Sequence, residues 1–233
     1  MLINFLKKIY YQKYSKKSYS ISSVDLIIDR LFRNINKGIY LDVGCNHPIK
    51  YNNTYLLHKK GWRGINIDLD KTSINEFNLM RRNDHNVQEI VGSIDGEEKE
   101  IYYYHERSAI NTLSKELVKK RLIKPREVIK KKSTSINTII ENSPFKGEKI
   151  NFMSIDIENY EYEALKYFNF KKYDIDIIVA EFTDLNQEKL ETYNQSLTYI
   201  LNTDLYKLLE KNSYKLINWV NSDLVFSKNN LNI

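Results

Sequence analysis

Five acidic residues, Asp42, Asp68, Asp156, Glu158 and Glu181, stand at or just beyond the ends of short apolar runs, and no other residues in this 233-residue chain point as clearly to chemistry. Ile39-Tyr40-Leu41 leads into Asp42-Val43-Gly44-Cys45-Asn46, and Ile65-Asn66-Ile67 leads into Asp68. An acid at the carboxyl end of each of two successive strands, with a glycine turn after the first, reads as half of a nucleoside site. Ligands of open parallel sheets sit at that edge. A carboxylate there accepts hydrogen bonds from both hydroxyls of a ribose, while glycine lets the backbone come close to the ligand. The apolar run at 150–155 ends at Asp156, with Glu158 two residues on, and the run at 175–180 ends at Glu181. Taken singly, each acid is more ordinary as a turn or helix cap. Gathered along one edge they repel one another, unless something cationic or rich in hydroxyls lies between them.

The elements that must bring these acids together follow from periodicity. Val24, Ile27, Ile28 and Leu31 repeat as i, i+3, i+4, i+7 behind Ser22 or Ser23, which predicts a capped helix ending before Gly38. A short helix over 54–60 closes at Gly61, and a second, capped by Thr72 or Ser73, runs to about Arg81. A strand is expected near 87–91, with Asp95-Gly96 as a hairpin turn into Ile101-Tyr102-Tyr103-Tyr104. Residues 105–135 read as an irregular basic insertion or lid, with Pro125 breaking any helix through it. Helices at 161–168 and 197–211 follow, and an antiparallel hairpin over 214–227 turns at Asn221-Ser222-Asp223. Strand–helix alternation closed by a hairpin predicts an α/β fold with one doubly wound, mostly parallel sheet and right-handed crossovers. The expected organisation is a basic N-terminal segment and helix over 1–38, then one domain over 39–233 carrying the insertion at about 105–135.

Composition narrows the classes. A hydrophobic content of 42% supports a real core. The single cysteine, Cys45, excludes an internal disulfide framework and has no metal-ligand spacing around it, which fits a reducing, cytoplasmic setting. The opening apolar run is too short for a secretory signal, and no segment reaches membrane-spanning length. The net charge of +6 is discounted, because Lys, Asn, Ile and Tyr are used heavily throughout. Two local concentrations remain. Residues 1–20 carry Lys7, Lys8, Lys13, Lys16 and Lys17 with no acid, interleaved with tyrosines, and residues 115–132 carry nine Lys or Arg against Glu116 and Glu127. Solvated faces are the ordinary reading, and contact with an anionic substrate or a peripheral membrane surface is the alternative.

Tyr40-Leu41-Asp42-Val43-Gly44-Cys45-Asn46-His47-Pro48, then Asn53-Thr54-Tyr55-Leu56 and Gly61 through Asp68, resemble the first signature of the FkbM family of class I S-adenosylmethionine-dependent methyltransferases. Phe152 through Glu161, then Leu165, resembles that family's second signature, and Ile177-Ile178-Val179-Ala180-Glu181 follows at the expected interval. The resemblance spans roughly 39–182 and implies a Rossmann-like sheet binding S-adenosylmethionine. It implies that Asp42, Gly44 and Asn46, with Cys45 in the same turn, line the methionine end of the cofactor. Asp68 would bind the ribose hydroxyls, Leu69 would flank the adenine, and Ser93 would lie near the adenine edge. Two departures stand out. Asn159 replaces the usual glycine after the Asp-x-Glu of the second signature, and Pro48 follows a first motif with only one glycine.

The implied reaction is an O-methylation of a sugar or glycan precursor hydroxyl, whose proton must leave as the oxygen attacks. Asp156 is the first candidate base, Glu158 the next, and His47 a third, with a backbone-bonded turn histidine as its plain alternative. Asp156, Glu158 and Glu181 suit a hard cation such as Mg²⁺, yet carboxylates engaging the cofactor ammonium or a sugar explain the same cluster. The basic segments would suit a phosphate-bearing acceptor. An NAD-dependent oxidoreductase is disfavoured, since the turn lacks Gly-x-Gly-x-x-Gly and its acid would repel pyrophosphate. Nucleic acid is an unexpected partner, because the Asp-Pro-Pro-Tyr type of signature for base amino groups is absent. Other natural-product acceptors and a non-catalytic cofactor-binding protein stay open.

Overall fold

Strands β1 (Ile39–Val43), β2 (Arg63–Asp68), β3 (His85–Gln88), β4 (Val91–Gly92), β5 (Glu98–Tyr103), β6 (Glu127–Lys132), β7 (Thr134–Ser135), β8 (Phe152–Ile155), β9 (Ile177–Glu181), β10 (Tyr214–Val220) and β11 (Asp223–Lys228) follow in chain order. The helices are α1 (Leu2–Gln12), α2 (Val24–Leu31), α3 (Tyr55–Lys59), α4 (Lys71–Met80), α5 (Lys115–Lys120), α6 (Ile136–Glu141), α7 (Glu161–Leu165), α8 (Phe170–Tyr173), α9 (Leu197–Leu201) and α10 (Asp204–Lys211). This computed structural model describes residues 2–12, 14–182 and 197–228.

Strands β1, β2, β8 and β9 are buried along almost their whole length. Burial on both faces calls for a parallel sheet covered on both sides. The seven-stranded sheet has the order β10-β11-β9-β8-β1-β2-β3. Strands β3, β2, β1, β8 and β9 run parallel, and β11 lies antiparallel to both β9 and β10. Leu41, Val43, Ile65, Ile67, Met153, Ile155 and Ile178 pack with α6, α7 and α10 through Ile136, Ile140, Leu165 and Leu209. On the opposite face Tyr40, Phe152, Ile177 and Val179 pack with α2 and α3 through Val24, Ile28 and Leu57. The chain leaves β1 toward β2 on one side and returns to β8 on the other. That reversal is where a parallel sheet opens a crevice beyond its carboxyl ends.

Several expected elements take a different form. Helix α4 is capped by Asp70, whose carboxylate accepts from the backbone N–H of Thr72 (2.8 Å) and Ser73 (3.2 Å), instead of by Thr72 or Ser73. Ser23 makes no side-chain cap on α2, and the Ser22 hydroxyl donates to Asp223 at the far hairpin. Asp95-Gly96 makes no hairpin: the Asp95 carboxylate accepts from Ser135 N (2.6 Å) and Thr138 Oγ1 (2.6 Å), and β5 pairs instead with distant β6. The expected strand near 87–91 breaks into β3 and the separate pair of β4 with β7. The stretch at 105–135 is regular over α5 and β6, with Pro125 between them. Its lysine-rich strand lies in a two-stranded ribbon with no deeply buried face of its own, so no alternation betrays it. The helix expected over 197–211 breaks into α9 and α10, because Thr203 caps α10 by accepting from Tyr206 N (3.1 Å). Among the described residues no helix is long and apolar enough to cross a membrane.

Candidate functional site

The turn after β1 is shaped by Gly44, whose φ is +80°. Gly44 N and Cys45 N both donate to the Ile67 carbonyl (2.9 and 3.1 Å), tying the turn to the end of β2. Asn46 N then donates to Asp68 Oδ2 (2.8 Å), and Asp70 N donates to Asp68 Oδ1 (2.8 Å). Two backbone donors therefore fix the Asp68 carboxylate, and each of its oxygens keeps a lone pair for a further donor. Burial pushes its pKa up to about 6 against the pull of those two amides.

On the other side of β1, β8 pairs with β9 so that Ile155 lies opposite Ala180, which sets Asp156 beside Glu181. Oxygens of Asp156, Glu158 and Glu181 all lie within 4.8 Å of one another. Asp156 is exposed at the cavity; partial desolvation there raises its pKa, and a hydrogen bond with Glu181 opposes that rise. Glu181 is held well above the usual carboxylate range, first by burial and then by the charge on Asp156. Two carboxylates this close disfavour carrying two negative charges at once, which agrees with the direction of both shifts. Glu158 is pushed up to about 7 by burial and by Asp156, while its ion pair with Arg121 pulls the other way. Beneath them Glu161 accepts from Ile157 N (2.8 Å), and burial pushes it up to about 8. The trio has the spacing of a cation site, and the Arg121 guanidinium already pairs with one of its three carboxylates, Glu158.

Glu158 and Asn159 both have left-handed backbones, with φ of 58° and 66°. Asparagine tolerates that region better than most residues, so the turn keeps a glycine-like path without the glycine. Pro48 directs the first loop inward: its carbonyl accepts from Arg81 Nε (3.0 Å) and Nη2 (2.6 Å).

A cavity of about 170 Å³ opens at this carboxyl edge. Gly44, Asn46, Asp68, Leu69, Asp156, Glu158 and Glu181 all line it. So do Glu89, Ile90 and Val91 just after β3, together with Ser108, Ala109, Asn111 and Leu113 ahead of α5. The first three had a legible signal: Glu89 is one more acid closing a strand at the same edge. Expecting a single strand through 91 hid it.

Four expected residues stand elsewhere. Asp42 lies inside β1, on the face that carries Tyr40, and is almost fully buried. It accepts from Asn52 Nδ2 (2.9 Å) and Thr54 Oγ1 (2.7 Å) and does not line the cavity. Cys45 is buried with Ile74 and Phe77, and burial raises its thiol pKa. Ser93 is outside the lining, where Ile90 and Val91 stand instead. His47 Nδ1 accepts from Ile49 N and Lys50 N (3.0 Å each), which is the turn-histidine arrangement, and its ring is likewise outside the lining.

The family model of the methyltransferase FkbM domain matches residues 42–216. No curated protein and no solved structure matches the chain.

Proposed function

This chain belongs to the FkbM methyltransferase family, and from that premise we propose that it transfers a methyl group from S-adenosylmethionine to a hydroxyl of a sugar or glycan precursor. The strand order, with β11 running against its neighbours and helices on both faces, supports the Rossmann-like, doubly wound fold of class I methyltransferases.

The observation that carries the reading is one cavity shared by two kinds of carboxylate. Asp68 offers unused lone pairs to a pair of hydroxyls, and Leu69, Ile90 and Val91 give an apolar wall suited to a flat base. Glu181 Oε2 is buried with no hydrogen-bond partner among the described residues. A buried acceptor without a donor is costly, so this oxygen fits an ammonium or hydroxyl donor. Bound there, S-adenosylmethionine supplies an electrophilic methyl on a positive sulfur.

The residues of the chain then have three tasks. Asp68, Gly44 and Asn46 bind and orient, and alignment alone is worth on the order of 7–11 kcal/mol of barrier in well-oriented reactions. Asp156 lines the cavity beside Glu181, within reach of a bound acceptor, so its carboxylate can take the proton of an attacking hydroxyl. Arg121 keeps Glu158 beside them without letting three negative charges accumulate.

Calorimetric titration with S-adenosylmethionine tests the reading. The wild type binds, and Asp68→Ala binds on the order of 10–100-fold more weakly, as expected for lost charge-assisted hydrogen bonds. Equal affinities would remove Asp68 from the ribose site, and no binding by the wild type would overturn the proposal.

A further inference from the structure

Helix α1 is amphipathic, and its described apolar side chains are left uncovered by the other described residues. Leu2, Phe5, Leu6 and Ile9 occupy positions i, i+3, i+4 and i+7 of it. Ile3, Phe5 and Leu6 are 69%, 60% and 56% exposed. Exposed aliphatic and aromatic side chains on one helix normally mark an interaction surface. The charge nearby says what kind: residues 1–20 carry five lysines and no acid.

We propose that α1 is an in-plane anchor for an anionic lipid surface. A helix of this type buries its apolar side at the headgroup boundary while its cations face lipid phosphates. A second copy of the chain suits the face less well, because pairing would bring two sets of five lysines together with no acid in either segment to offset them.

The segment after α1 ties this anchor to the catalytic cavity. Asp25 accepts from Ser18 Oγ (2.6 Å) and Tyr19 N (2.7 Å), Asn52 N donates to Tyr19 O (3.1 Å), and the Tyr19 ring meets Tyr55 edge-on at 4.7 Å. Residues 18–20 are thus fastened to the body, and Ile21, next in line, lines the cavity while remaining 69% exposed. Eight residues lie between Gln12 and Ile21, a reach of at most roughly 30 Å. Docking α1 therefore keeps the mouth of the cavity within that distance of the lipid surface, where an acceptor carried on a lipid would be presented.

Co-sedimentation of the full chain with vesicles decides the matter. Protein is expected to pellet with phosphatidylcholine vesicles containing phosphatidylglycerol, to stay in solution with phosphatidylcholine alone, and to be released by added salt. Lys7→Gln and Lys16→Gln should each lower partitioning on the order of fivefold. Phe5→Glu/Leu6→Glu should abolish it while the melting temperature and S-adenosylmethionine affinity, both measured without lipid, stay unchanged. Absence of binding to anionic vesicles, or equal binding by wild type and Phe5→Glu/Leu6→Glu, would overturn the proposal. A mass by light scattering that halves in Phe5→Glu/Leu6→Glu would also overturn it and assign the face to a second copy. Because the cofactor titration needs no vesicles, failure of the anchor and failure of the methyltransferase reading are separately visible.

Discussion

A Cβ added to Gly44 would lie 1.8 Å from the backbone carbonyl oxygen of Asp156. The glycine turn after β1 and the end of β8 thus touch backbone to backbone, and the φ of +80° at Gly44 belongs to a region that L side chains avoid. This contact brings the carboxylates at the end of β8 up to the mouth of the first loop.

Gly44→Ala tests it. The left-handed backbone alone costs about 1–2 kcal/mol for a residue with a Cβ, and displacement of the Asp156 carbonyl adds to that. Urea denaturation should show the loss, and cofactor titration should show weakened binding even at low temperature where the variant stays folded. An alanine variant with wild-type stability and affinity would mean that the two loops move apart freely.

Asp156→Asn should lower kcat by roughly 10²–10⁴-fold, the range for loss of a positioned base. Cofactor affinity should change far less, since Asp68 and the Gly44 turn are untouched. Steady-state kinetics beside calorimetry separates the two effects; an unchanged kcat would transfer the role to Glu158 or Glu181.

Stability should fall as pH rises from about 4 to about 8. Burial lifts the folded pKa of Asp68 to about 6, Asp223 to about 6, Glu158 to about 7 and Glu161 to about 8. Unfolded chains release those protons at about pH 4, so across that window the folded chain holds more protons than the unfolded one. The stabilisation is complete below the unfolded values and is lost as pH climbs through the folded ones. His47 and His85, lowered by burial, work in the opposite direction but are fewer. Melting curves of ligand-free protein should therefore show a lower Tm at about pH 8 than at about pH 5, and Glu161→Gln should flatten the slope. A Tm that rises across this range would contradict the protonated cluster.

Arg81→Met should destabilise the fold by about 3–5 kcal/mol, the cost of leaving a buried charge without its counterpart. Arg81 is completely buried and donates to Thr54 Oγ1 (2.8 Å), Asn52 Oδ1 (2.8 Å) and the Pro48 carbonyl. Thr54 and Asn52 in turn donate to Asp42. Chemical denaturation measures the loss, and a change under 1 kcal/mol would show that the network holds without its cation.

The sequence by itself determined the sheet and its chemical edge. Val, Ile, Leu and Met runs of strand length, each closed by an acid, can only be buried parallel strands with polar ends, so Asp68, Asp156 and Glu181 were legible together. The Gly44 turn was legible for the same reason, because local backbone geometry is written in local residue types. Tertiary structure alone decided which acids face the cavity. Asp42 looks like its neighbours in the sequence, yet side chains alternate along a strand, and the partners waiting on its face are Thr54, Asn52 and, from just past the end of α4, Arg81. The β5–β6 pairing was hidden likewise: it joins residues some thirty positions apart, and β6 itself has no buried residues to imprint a period. Patterns created by burial survive in a single sequence, whereas pairings between distant polar groups leave no periodicity and exist only once the chain has closed on itself.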